Sequence, residues 1–195
     1  AIPDSSHFGW LNTQLREKSK LKKFLHWFTF LIPAKTDFPV ITGIDFMYQL
    51  TQKCAEQGFT VGLYGAQENV AEKAAQCLKK KYPKLEVAFT RSGDEVDFAG
   101  NSRTNEPNQK FPQTDVIFVA LGQVKQEKWI EQNKGKIKAK IFMGVGGSFD
   151  YIAGVVPRAP KSWRNLGLEW LYRLLKQPQR ISRQLKIALF VLKQI

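Results

Sequence analysis

The stretch FTVGLYGAQENVAEKAAQCLKKK, residues 59–81, changes its period in the middle. Phe59 to Tyr64 is an almost continuous apolar run of strand length, and it leads at once into Gly65-Ala66-Gln67-Glu68-Asn69. From Val70 to Lys81 the apolar positions are Val70, Ala74, Ala75 and Leu78, which is helical spacing with lysines on the other face. The order is strand, glycine turn, helix.

Outward from that unit the pattern repeats. Tyr82-Pro83 ends the helix, because proline biases the residue before it away from helical geometry, and LEVAFT (85–90) reads as a second strand. Arg91 to Thr114 is rich in Gly, Asn, Asp and Pro and reads as a long surface loop. DVIFVAL (115–121) ends at Gly122, and KIFMGV (140–145) runs into Gly146-Gly147, with a helix predicted over Gln126 to Lys136 between them. Continuous rather than alternating hydrophobicity is what a parallel strand covered on both faces requires. The predicted fold is therefore α/β: a Rossmann-like, open, mainly parallel sheet with helices on both faces. Ligands of such sheets gather beyond the carboxyl ends of the strands. The glycine clusters at 65, 122 and 144–147 all fall at such ends, and Ile2-Pro3-Asp4 reads as a fourth.

The bulk properties narrow the function. A chain of 195 residues with 43% hydrophobic content is the size of one ordinary domain and has enough apolar residues for a core. It begins Ala-Ile-Pro-Asp, without an initiator methionine or a signal-peptide core, and its start reads as truncated or processed. No apolar run reaches the eighteen or so residues of a spanning helix. The two cysteines, Cys54 and Cys77, are too few for a disulfide framework and lack zinc-site spacing, so both are read as buried thiols in a reducing compartment. Thirty Lys and Arg against seventeen Asp and Glu, a formal net charge of +13, point to an anionic partner: nucleic acid, phospholipid headgroups or a sugar nucleotide.

Neither glycine turn matches the dinucleotide pattern GxGxxG or the P-loop pattern, which disfavours a nicotinamide dehydrogenase and a P-loop NTPase. Gly65 and Gly122 each fit a tight turn as well as a phosphate site. In LGQVKQEKW (121–129) the Gln126 amide both donates and accepts, which suits recognition of a sugar or base edge, whereas Lys125 and Glu127 fit solvated helix positions and Trp129 fits packing. In GVGGSFD (144–150), the backbone at Gly144, Gly146 and Gly147 can approach a diphosphate, and Asp150 can hold ribose hydroxyls. Asp150 equally fits a helix N-cap.

From Arg158 the composition changes. Arg158, Lys161, Arg164, Arg173, Lys176, Arg180, Arg183, Lys186 and Lys193 face one acid, Glu169. Leu168, Leu171, Leu174 and Leu175 form one helical stripe, and Ile181, Leu185, Ala188, Leu189 and Leu192 another. A basic amphipathic tail suits an anionic membrane surface, and core packing is the competing reading. The expected division is a catalytic core over 1–157, lacking its N-terminal portion, and an appendage over 158–195.

Taken in order, LGQVKQEKW, GVGGSFDYIAG, PRAP and GLEWLYRLLKQPQR resemble the signature stretches of the WecG/TagA/CpsF family, glycosyltransferase family 26. The opening IPDS, TGIDFM (42–47) and GLYGAQENVAEKAAQCLKKKYP (62–83) are similar to it as well. The resemblance implies an inverting transfer of N-acetylhexosamine from a UDP-N-acetylmannosamine-like donor to N-acetylglucosamine on polyprenyl diphosphate, in cell-wall or surface-polysaccharide synthesis. It implies no metal and no cofactor, peripheral attachment at the cytoplasmic face of the bacterial plasma membrane, and leaves a homo-oligomer open. By the same resemblance Asp4 matches the general base. Arg173, Arg180 and Arg183 match arginines that close over the leaving diphosphate, the task a divalent metal performs in other transferases.

The chain departs from the family pattern in places. Ser5 and His7 stand where glycines are usual, Val40 where an arginine often stands, Gly9 to Pro39 is longer, and Arg91 to Gln113 replaces a helix with a polar loop. Two competing readings follow: a catalytically inactive homologue serving as a scaffold, and a basic nucleotide- or nucleic-acid-binding module supported by the aromatics among lysines in Leu21 to Phe30. Nucleic acid is disfavoured, because the charge is densest in an amphipathic tail.

Overall fold

The computed structural model describes residues 42–93, 96–97, 100, 110–165 and 168–176. They fall into two compact units, one spanning Thr42–Pro157 and one that takes in the residues from Arg158 onward.

The first unit begins with helix α1 (Gly43–Gln57). Thr42 caps it: its hydroxyl accepts from the Asp45 amide at 3.3 Å and donates to the Asp45 carboxylate at 2.6 Å, which satisfies an amide that the first turn leaves without a helical partner. Strand β1 (Thr60–Gly65), helix α2 (Val70–Lys81) and strand β2 (Glu86–Arg91) follow. Lys79, Lys80 and Lys81 close α2 with positive charge at the negative end of its dipole. Then come β3 (Thr114–Ala120), α3 (Lys125–Asn133), β4 (Ala139–Gly144) and the short α4 (Ser148–Ile152).

The four strands are all parallel, in the order β2-β1-β3-β4. After β2 the chain crosses to the far side of β1, so the direction of winding reverses between β1 and β3. An open α/β sheet forms its binding crevice at such a switch point.

Strand β3 shows why the sequence reads as continuous rather than alternating. Val116, Phe118 and Ala120 face a core shared with α1, α2 and α4, which includes Met47, Leu63, Leu78 and Phe149. Ile117 and Val119 face the opposite core with Tyr64 and Trp129. Both faces are covered, so both must be apolar. Strand β4 differs from that expectation: it pairs on one side only among the described residues, and Ile141 is 46% exposed.

The amino-terminal edge of the sheet is fastened by Asp115. Its carboxylate accepts from the Thr60 amide at 2.8 Å and the Thr60 hydroxyl at 3.0 Å, while its own amide donates to that hydroxyl at 3.1 Å. Its other oxygen pairs with Lys140 at 2.8 Å, so one residue ties the starts of β1, β3 and β4.

In the second unit, α5 (Lys161–Asn165) and α6 (Glu169–Lys176) are linked by a hydrogen bond that the Leu168 amide donates to the Trp163 carbonyl, and Trp163 meets Tyr172 edge-on at 5.8 Å. Of the predicted leucine stripe, Leu168, Leu171 and Leu174 are half-buried, whereas Leu175 is 65% exposed. The second stripe, 181–192, lies outside the described residues.

Candidate active site at the carboxyl edge of the sheet

Strands β1, β3 and β4 end almost level. Gly65 is the register partner of Ala120, and Val119 is the partner of Gly144. The turns that follow these strands therefore leave the sheet side by side, at the switch point.

The first turn is tight against β3. Gly65 has φ +115°, and a Cβ there would lie 2.6–2.9 Å from the backbone of Ala120, so only glycine fits both the dihedral and the space. The Ala66 amide then donates to the Ala120 carbonyl at 2.8 Å, with Ala66 at φ +60° and Asn69, at the start of α2, at φ +62°. Two non-glycine residues within four positions of each other thus hold left-handed conformations, a local cost that surrounding contacts must offset. Gly65 does serve as a tight turn; its dihedral alone assigns it no ligand.

The third turn is organised by Gln126. The side chain is 7% exposed and reaches from the first turn of α3 to the turn after β4. Its Oε1 accepts from the Gly146 amide at 2.9 Å, and its Nε2 donates to Glu127 Oε1 at 2.9 Å. Glu127, which fits a solvated helix position in the sequence, therefore fixes which way the Gln126 amide points. Gly144 makes the approach possible: a Cβ there would lie 2.6 Å from Gln126 Nε2 and 2.8 Å from its Cδ. Val145 donates to the Val119 carbonyl at 2.9 Å, and the buried Ser148 hydroxyl donates back to Val145 at 2.7 Å, so the turn is tied at both ends.

Asp150 is the third residue of α4, half-buried in its first turn; the cap position is Gly147. The N-cap alternative for Asp150 is thereby corrected, because the helix starts at Ser148, three residues earlier than that role needs. Trp129 is 2% exposed and stacks on Tyr64 at 4.1 Å, in agreement with a packing role.

Six of the residues singled out in the sequence, Gly65, Gln126, Gly144, Gly146, Gly147 and Asp150, thus lie on or just beyond the carboxyl edge of one sheet. Arg173 lies within α6, in the other unit, with its side chain outside the described residues. Asp4, Arg180 and Arg183 lie outside them altogether.

Two expectations are corrected. Cys54 is buried, with burial first and the Asp115 charge second raising its thiol pKa, but Cys77 is exposed because it sits on the solvent side of α2. The segment after Arg91 is not only a surface loop: Val96 is 3% exposed within the second core, and Phe111 packs against that core.

Among the described residues no group of three or more His, Cys, Asp or Glu side chains could hold a metal ion. No helix among them is long and apolar enough to cross a membrane.

The family model described as glycosyl transferase WecG/TagA/CpsF matches residues 23–195, and with it every element described above. The chain belongs to the WecG/TagA/CpsF family of glycosyl transferases.

Proposed function

We propose that this glycosyltransferase is inverting and metal-independent, and moves N-acetylhexosamine from a UDP-N-acetylmannosamine-like donor to N-acetylglucosamine on polyprenyl diphosphate. The observation that carries the placement of the donor is the level carboxyl edge at the switch point. There the turns after β1 and β4 lie side by side, packed closely at Gly65 and Gly144, and the open space at Gly146 leaves room for a diphosphate to approach, with the Gln126 amide bonded to that turn. In this reading Asp150, in the first turn of α4, holds the ribose of the same nucleotide.

In the reaction, an acceptor hydroxyl oxygen bonds to the anomeric carbon as the bond from that carbon to the UDP oxygen breaks. The hydroxyl proton passes to the Asp4 carboxylate, a general-base role generally worth roughly 10²–10⁴-fold in rate. Arg173, Arg180 and Arg183 stabilise the charge that grows on the departing diphosphate, which is where fixed cations act most strongly. The basic tail rests on anionic lipid, where the acceptor's own diphosphate lies, at the cytoplasmic face of the plasma membrane.

The test is a screen of UDP-sugars against a short-chain lipid-diphosphate acceptor in EDTA, with the wild type and Asp4→Asn side by side. Transfer by the wild type and its near-complete loss in Asp4→Asn, with UDP affinity kept, is the expected result. UDP binding without turnover by any donor supports the scaffold reading instead. Dependence of turnover on added Mn²⁺ or Mg²⁺ overturns the metal-free mechanism.

A further inference from the structure

The cation nearest the proposed donor crevice in the sequence is Lys125, at the start of α3. In a nucleotide-sugar site such a residue invites assignment to a phosphate, but its ammonium has another contact: it donates to the Val96 carbonyl at 2.8 Å. Val96 is 3% exposed in the core formed with Tyr64, Ile117, Val119 and Trp129. Lys125 therefore clamps the backbone at a residue whose side chain is already seated in that core.

The described residues around Val96 are held at several further points. Val96 donates its amide to the Gly93 carbonyl at 3.2 Å, and Gly93 donates its own to the Ala66 carbonyl at 2.9 Å. Gly93 also lies so close to the first turn that a Cβ there would be 2.2 Å from Leu121 Cδ2 and 2.8 Å from Gly65 Cα. Gly100 touches α3 one turn beyond Lys125, where a Cβ would stand 2.8 Å from the Trp129 amide nitrogen. At the other end, Arg91 donates to the Lys110 carbonyl at 3.1 Å and lies over the Phe111 ring at 4.3 Å. A chain of contacts thus runs from Lys125 through Val96 and Gly93 to Ala66, whose left-handed backbone needs such outside support.

We propose that Lys125 is a positioning residue for the donor turn: by holding Val96 it keeps Gly93 on Ala66, and so fixes the Gly65–Asn69 backbone that meets the nucleotide. The inference rests on the donor placement proposed above. Lys125 then affects how well the donor is bound more than how fast it reacts. A lysine acting directly on the departing diphosphate has the opposite signature, because its contact strengthens only as charge develops.

The experiment compares Lys125→Met, Lys125→Arg and Val96→Ala with the wild type. It reads donor KM and kcat, and hydrogen exchange at the Gly93 and Ala66 amides in the absence of donor. Lys125→Met is expected to raise donor KM on the order of tenfold, to leave kcat within about twofold, and to speed exchange at both amides. Val96→Ala should shift the same readouts in the same direction, and Lys125→Arg should restore most of the wild-type values. A fall in kcat of about a hundredfold with unchanged KM and unchanged exchange overturns the proposal in favour of direct contact with the leaving group. Unchanged exchange in both Lys125→Met and Val96→Ala overturns the clamp itself. If the wild type transfers no sugar, the proposed function fails, while the exchange measurement still decides whether Lys125 holds the Ala66 turn.

Discussion

Gln126 makes two bonds with one amide, and each end of that amide carries a different prediction. Replacing Gln126 with Ala leaves the Gly146 amide without its acceptor; a lost partner of this kind costs roughly 1–3 kcal/mol. The variant should unfold at lower denaturant concentration and bind UDP more weakly, both measurable on the purified protein. Gln126→Glu keeps the shape but removes the donor and places a second carboxylate beside Glu127. It should be no better than the alanine variant near neutral pH and should improve as the pH falls, since protonation restores a donor. Gly144→Ala tests the same contact from the strand side, because its methyl group would have to displace an amide that is bonded at both ends. Overpacking of this kind costs about 1–3 kcal/mol, and chemical denaturation of the variant against wild type checks it.

At the scale of elements, the staple at the opposite edge of the sheet has a definite pH signature. The Asp115 carboxyl is held below its ordinary pKa, first by the hydrogen bond from Lys140 and next by the Thr60 amide. A depressed folded-state pKa means stability that is present above the unfolded pKa and lost as pH falls through the folded value. The stability difference between wild type and Asp115→Asn should therefore be full at neutral pH and shrink on acidification below about pH 4. A difference that stays constant from pH 7 to pH 3 would show that the charge is not what matters. Thr42→Ala removes the cap of α1 and should cost about 1 kcal/mol, read as a lower melting temperature.

These elements were largely legible in the sequence, and for a physical reason. A strand covered on both faces must be apolar throughout, so the runs at 60–65 and 114–120 stand out, and the helix over 70–81 follows from its own period. What the sequence does not carry is contact between distant residues. The bond from Gly146 to Gln126 spans twenty positions and exists because β3 and β4 are neighbours. Lys125 reads as a solvated helix residue until Val96 is seen beneath its ammonium. The exposed edge of β4 escapes the same reading, since KIFMG is as apolar as a central strand and only its place in the order shows otherwise.

Over the whole molecule, the charge within residues 42–157 is arranged by the topology. In a parallel sheet every helix-to-strand connection lands on the amino-terminal edge. Here that edge carries the exposed Lys79, Lys80 and Lys81 in the last turn of α2 and Lys84 after it, and Lys134, Lys136 and Lys138 after α3. Among the described residues the opposite edge carries the glycine turns, with Arg91 at the end of β2 and Lys125 at the start of α3. If net positive charge alone attracted the nucleotide, it would bind the lysine edge; if the turns bind it, it sits where the strands end level. For the tail, the account predicts that Arg180→Ala lowers turnover on a soluble acceptor by roughly 10²–10³-fold while liposome partitioning changes little. Exchange of Leu185 and Leu189 for Ser should do the reverse. The central claim, that the donor is held by the carboxyl-edge turns, is tested most directly by amide NMR of the full chain titrated with UDP in EDTA. The account predicts saturable shifts at Gly65, Ala66, Gly146 and Gly147, lost in Gln126→Ala, with Lys79–Lys84 and Lys134–Lys140 unmoved. Shifts confined to the lysine edge, or no saturable shift at the four turn amides, would contradict it.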